Sequence, residues 1–121
     1  MSSGQKHTFP KAERLTGKIR ISALMRSGRY LTDSPLKCCY ARRDDDAPAR
    51  LLVSVPKRLF KRAVKRNLLK RRIRESYRLQ KEVLPAGMDL MLIYTSPEIQ
   101  PFAVIFEATG RILSSIGNGE G

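Results

Sequence analysis

Tryptophan is absent from this 121-residue chain, histidine occurs once and cysteine twice. The cysteines, Cys38 and Cys39, are adjacent. On a strand their side chains point to opposite faces, so they form no disulfide with each other, and two cysteines alone make no zinc site. The pattern fits a reduced, cytoplasmic protein. His7 stands in a polar N-terminal segment with no neighbour to make it a general base. No apolar run approaches the ~20 residues of a membrane span, and MSSGQKHTFPKAERL has no apolar segment of a secretory signal. Neither a GxSxG, a Walker A nor an HExxH pattern occurs. Hydrolase chemistry built on side chains is therefore not expected, and neither is a membrane.

Acidic residues are also scarce, 11 against 24 Lys and Arg, for a net charge of +13. The excess is local. Residues 57–82, KRLFKRAVKRNLLKRRIRESYRLQKE, hold 12 Lys and Arg against Glu75 and Glu82. Residues 83–121 are by contrast net negative. Charge concentrated in this way marks an element that binds a polyanion.

The periodicities predict the order α–β–β–α–β–α. A first helix covers Leu15 to Gly28, with Thr16 at its N-cap, an apolar side of Ile19, Ile21, Ala23, Leu24 and Met25, and Gly28 as the stop. LKCCYA (Leu36–Ala41) and LLVSV (Leu51–Val55) read as a hairpin. RRDDDAPAR joins them, its three aspartates a solvated loop rather than a metal site, because consecutive side chains diverge. A basic helix follows from Lys61 to Glu82. MDLMLIYT (Met88–Thr95) is apolar enough for a strand buried on both faces. Pro101 opens a last helix whose stripe is Phe102, Ile105, Phe106, Ile112, Leu113 and Ile116. Residues 1–8 are expected to be a flexible N-terminus, 9–116 one domain, and 117–121 a disordered tail.

At about 100° per residue, Asn67, Lys70, Arg71, Arg74, Arg78 and Lys81 share one stripe of the basic helix. Leu69, Ile73 and Tyr77 lie beside it and anchor the helix on the sheet. A solvated face normally mixes signs, and like charges such as Lys70 and Arg74 repel at i,i+4. A bound polyanion relieves that repulsion. Arginine grips phosphate oxygens bidentately and stacks on bases, whereas lysine is a point charge. Asn67 has two readings, a contact to a base edge or a bond to the adjoining backbone. A membrane-surface helix fits less well, because the apolar side is needed for the core. A DNA reader would concentrate its contacts in the N-terminal half of the helix.

The segment Arg66-Asn67-Leu68-Leu69-Lys70-Arg71-Arg72-Ile73-Arg74-Glu75 follows the strand LLVSVPKR and precedes a buried strand. Together with FPKAERL before the first helix, it resembles the signature of the protein subunit of bacterial ribonuclease P, and the resemblance runs from Phe9 to about Ile116. It implies an α+β fold: a small, mostly antiparallel four-stranded sheet packed with three helices, with a left-handed β-α-β crossover carrying the signature helix. The fourth strand is expected near Phe9–Leu15. The resemblance also implies a protein cofactor to a catalytic RNA that removes the 5′ leader of precursor tRNA. The RNA would hold the Mg2+, the polypeptide would supply no catalytic centre, and protein and RNA would associate 1:1. Lys57, Arg58, Arg66, Asn67, Lys70, Arg71, Arg74 and Arg78 would face the catalytic RNA. Ile21, Met25, Lys37, Cys39 and Tyr40 would line a cleft for the leader. Two departures stand out. Many members read Arg-Asn-Arg where this chain has Arg66-Asn67-Leu68, and many carry aromatics where Ile21 and Met25 stand. A structural RNA binder of the ribosomal-protein type is the alternative.

Overall fold

The most apolar strand of the chain lies in the interior of the sheet. The computed structural model describes residues 13–119. In chain order the elements are α1 (Lys18–Ser27), β1 (Arg29–Asp33), β2 (Leu36–Arg42), β3 (Arg50–Ser54), α2 (Ala63–Gln80, followed by a short 3-10 turn, Lys81–Val83), β4 (Met88–Tyr94) and α3 (Phe102–Gly117). The strands lie in the order β1-β2-β4-β3. β4 runs antiparallel to β2 and parallel to β3. This is the expected α+β architecture of four strands and three helices.

Two expectations change. β2 and β3 are not hairpin partners, because β4 is inserted between them. The reason is burial: six of the seven residues of β4 are buried, and a strand covered on both faces gains most with a neighbour on each side. The fourth strand is Arg29–Asp33, not a piece near Phe9–Leu15. It forms the true hairpin with β2, in the register Arg29↔Tyr40 to Asp33↔Leu36. Of the segment first expected to be that strand, Arg14 makes only a single bridge to Leu51. Residues 9–12, like His7 and the N-terminus expected to be flexible, lie outside the described residues.

α2 and α3 cover one face of the sheet and α1 the other. On the first face Leu69, Ile73 and Tyr77 of α2 meet Leu36, Cys38 and Tyr40 of β2 and Leu90, Leu92 and Tyr94 of β4. The second core is small: Leu15, Leu24, Cys39 and Met91, with Ile21, Leu52 and Ile93 packed against it. α1 begins one residue later than a Thr16 cap would place it. Gly17 occupies the cap position at φ 94°, and no side chain caps the helix. In α3, Ile105, Ile112, Leu113 and Ile116 are buried as the stripe predicts, but Phe102 is exposed and packs on Phe106 with ring centres 5.6 Å apart. Residues 117–119 of the segment expected as a tail are among the described residues. Gly117 closes α3, and the Asn118 amide donates to the Ser114 carbonyl at 2.9 Å.

Candidate nucleic-acid interface

Burial of Leu69, Ile73 and Tyr77 turns the opposite side of α2 to solvent. Asn67, Arg71 and Arg74 are exposed there, and Arg66 and Lys70 partly so. Asn67, Arg71, Arg74, Glu75 and Arg78 line a shallow groove of about 400 Å3. Lys57 and Arg58 are exposed in the turn after β3.

The cations of this segment fall into separate roles. Arg66 donates from Nη1 to the carbonyls of Phe60 and Lys61, each at 2.8 Å. No side chain caps the N-terminus of α2, so Arg66 also fastens the turn that carries Lys57 and Arg58 toward the helix. Arg78 pairs with Glu75 one turn back, its Nε donating at 3.0 Å. The acid-free stripe is thus neutralised toward its C-terminal end. Lys81, which the helical projection put on the stripe, lies in the 3-10 turn and pairs with Glu13 at 2.7 Å. Arg72 points elsewhere and donates to the Gln100 carbonyl at 2.6 Å. Leu68, where many family members carry arginine, is partly buried.

On the other face of the sheet α1 packs against β2. Cys39 is fully buried beneath it, and its thiol donates to the Leu24 carbonyl at 3.3 Å. Ile21 is half-buried beside Leu24, and Met25 is exposed. Lys37 places its Nζ 5.0 Å from the centre of the Tyr30 ring. Tyr40 does not belong here. The pleat sends it with Leu36 and Cys38 into the large core on the opposite face. Its accessible edge lines a cavity of about 520 Å3 with Ser27, Arg29, Ala41 and Arg42. Burial pushes the Cys38 thiol well above the usual range, which fits a packing role.

Tyr30 is the residue beside α1 that sequence reading missed. It sits directly across from Cys39 and therefore on the same face. Its hydroxyl donates to the Met25 carbonyl at 3.1 Å, and its pKa is raised, first by a hydrogen bond with the Cys39 thiol and then by burial. The aromatic and β-branched run Tyr30-Leu31-Thr32 between Gly28 and Pro35 was the available signal.

Arg74 borders two concavities. It lines the α2 groove and also a cavity of about 420 Å3 formed with Arg14, Leu15, Thr16, Leu51, Leu52 and Val53. Gly28 fixes how closely α1 approaches the sheet. A Cβ there would stand 2.5 Å from the Leu24 carbonyl oxygen and 2.9 Å from Cys39 Sγ. Gly28→Ala should destabilise the fold by about 1–3 kcal/mol through that overpacking, read as a lower Tm.

Among the described residues no three His, Cys, Asp or Glu side chains gather as a metal set, and no helix is long and apolar enough to cross a membrane. Asp45 and Asp89 both bind Arg43, at 3.0 and 2.6 Å. That guanidinium also donates to the carbonyls of Ala47, Pro48 and Met88. Asp44 and Asp46 are exposed loop residues.

The family model described as Ribonuclease P matches residues 9–116. The chain belongs to the ribonuclease P protein family. A ribonuclease P protein component from Porphyromonas gingivalis is 36% identical over 125 residues, covering 96% of this chain and 91% of that protein. One from Ralstonia pickettii is 41% identical over 86 residues, covering 71% of this chain but only 60% of the relative's length. Among solved structures, the RNase P protein from Thermotoga maritima superposes with a TM-score of 0.75 at 27% identity, covering 86% of this chain and 97% of that one. The Staphylococcus aureus RNase P protein gives 0.75 at 25% identity, covering 85% and 94%. Ribonuclease P proteins of this family thus share the four-stranded, three-helix arrangement described above.

Proposed function

We propose that this chain is the protein cofactor of a ribonuclease P ribonucleoprotein. In this reading the exposed side of α2 docks on the catalytic RNA through Asn67, Lys70, Arg71 and Arg74, with Lys57 and Arg58 extending the contact. Arg66 has a double duty, toward RNA and toward its own turn. The single-stranded 5′ leader of precursor tRNA lies in the cleft between α1 and the sheet, against Ile21, Met25 and Lys37. The observation that carries the reading is Arg74, which lines both the α2 groove and the cleft-side cavity. In this reading Arg74 stands where catalytic RNA and leader approach each other.

The polypeptide's part is positioning and charge neutralisation. The acids of the 43–50 loop are committed to Arg43 or stand exposed, so they do not fit a protein-held metal centre. Mg2+ bound by the RNA would activate the attacking water. Arginine and lysine side chains lower the repulsion between two RNAs and reduce the magnesium needed to hold them together.

The test is cleavage of a precursor tRNA by a purified bacterial ribonuclease P RNA at low Mg2+, with and without this protein. Cleavage at the mature 5′ end only when both are present is the expected result. Salt-dependent binding to many RNAs with no stimulation of cleavage would favour a structural RNA binder instead.

A further inference from the structure

We infer that Tyr30 supplies the base-stacking platform of the leader cleft in this chain, from the strand next to the one that carries Cys39. The inference rests on the cleft reading above. Three residues that could offer a ring to the cleft do not. Ile21 and Met25 are aliphatic, and Cys39, which the pleat aims into the cleft, is small and fully buried. Tyr30 is opposite Cys39 in the β1–β2 register, on the same face, with 47% of its surface exposed.

The ring is also held ready. Its hydroxyl is tied to the last turn of α1 through the Met25 carbonyl. β1 is an edge strand, paired on one side only. A side chain ordered before binding loses little rotamer freedom when a base arrives. Lys37 Nζ stands 5.0 Å from the ring centre, so a base stacked on Tyr30 would bring its phosphate next to a cation. Aromatic stacking with adjoining positive charge is how single strands are held without reading sequence. The strand order places Tyr30 on one edge of the sheet and the Arg74 cavity on the other, beside β3. Three interstrand spacings separate them, roughly 14 Å. A short single-stranded segment would cross the sheet from Arg74 to Tyr30.

The experiment measures binding of the holoenzyme, assembled from this protein and a ribonuclease P RNA, to a precursor tRNA with a single-stranded leader and to the same tRNA without it. Tyr30→Ala and Tyr30→Leu should each weaken binding of the leadered substrate ~5- to 100-fold and leave the leaderless tRNA unchanged. Tyr30→Phe keeps the ring and should stay within about threefold of wild type. Tyr30→Leu separates stacking from bulk, since it keeps an apolar side chain and loses the π-face. Wild-type affinity in Tyr30→Leu, or equal losses for the two tRNAs, would overturn the assignment while the leader cleft stands. A wild-type holoenzyme that binds both tRNAs equally would overturn the cleft reading itself, and the Tyr30 role with it.

Discussion

Arg43→Ala is expected to lower the stability of the fold by about 2–4 kcal/mol, because it leaves Asp89 and several carbonyls without their donor. The Arg43 and Asp89 side chains are only 12% and 13% exposed, and their ion pair is 2.6 Å long. The same guanidinium holds the Ala47 and Pro48 carbonyls of the loop and the Met88 carbonyl at the start of β4. It clamps the loop after β2 onto the strand that β2 pairs with. Asp45 is half-exposed and adds little of its own. Arg43→Lys should recover only a small part of the loss, since a point charge cannot serve five acceptors spread around a planar fork. For a domain of this size the loss corresponds to a fall in Tm on the order of 10 °C, measured by thermal denaturation. The pH dependence has a definite sign. Arg43 holds the Asp45 carboxyl below its ordinary value. Its contribution is therefore complete above the unfolded carboxylate pKa, about 3.9, and is lost as pH falls through the lower folded value. The gap between wild type and Arg43→Ala should narrow in that acid range only by the small share that Asp45 contributes.

The second large effect is functional. Arg71→Ala combined with Arg74→Ala should reduce affinity for the catalytic RNA ~100-fold at physiological salt and flatten the slope of log K against log salt by about 1.5–2. Both side chains are exposed, so the melting temperature should stay near wild type. Affinity unchanged by the double substitution would remove α2 from the RNA interface. Arg66→Ala should behave differently. Its bonds to the Phe60 and Lys61 carbonyls predict a loss of about 1 kcal/mol in stability on top of weaker RNA binding.

The parts legible in the sequence were those with strong periodicity. The apolar run of β4, the α2 anchors Leu69, Ile73 and Tyr77, and the Ile105, Ile112, Leu113 and Ile116 stripe of α3 were all readable from spacing alone. Strand pairing was not. Two β-like runs next to each other in sequence suggest a hairpin, but the burial demand of β4 overrides that local preference and separates β2 from β3. β1 was hidden because a half-exposed edge strand of five residues carries no long apolar signal. Without β1, Tyr30 had no partner and the side on which Cys39 and Tyr40 face could not be assigned. On α2 the helical projection located the stripe correctly. It could not show that Glu75 reaches Arg78, or that the helix ends before Lys81 and releases that lysine to Glu13.

The central place of β4 has a consequence for the order of events during synthesis. Among the strands of the described residues β3 pairs only with β4, and β2 meets its second neighbour only there. Until residues 88–94 leave the ribosome, the nascent chain can close only the local β1–β2 hairpin. α2 is made before the strand it helps to cover, with its apolar anchors and its arginines exposed at the same time. Completion of the sheet therefore waits for contacts between segments distant in sequence, which slows closure. A protein truncated before Met88 should keep the strongest charge of the chain and lose the surface that orders it, giving a sticky polycation instead of a docking face.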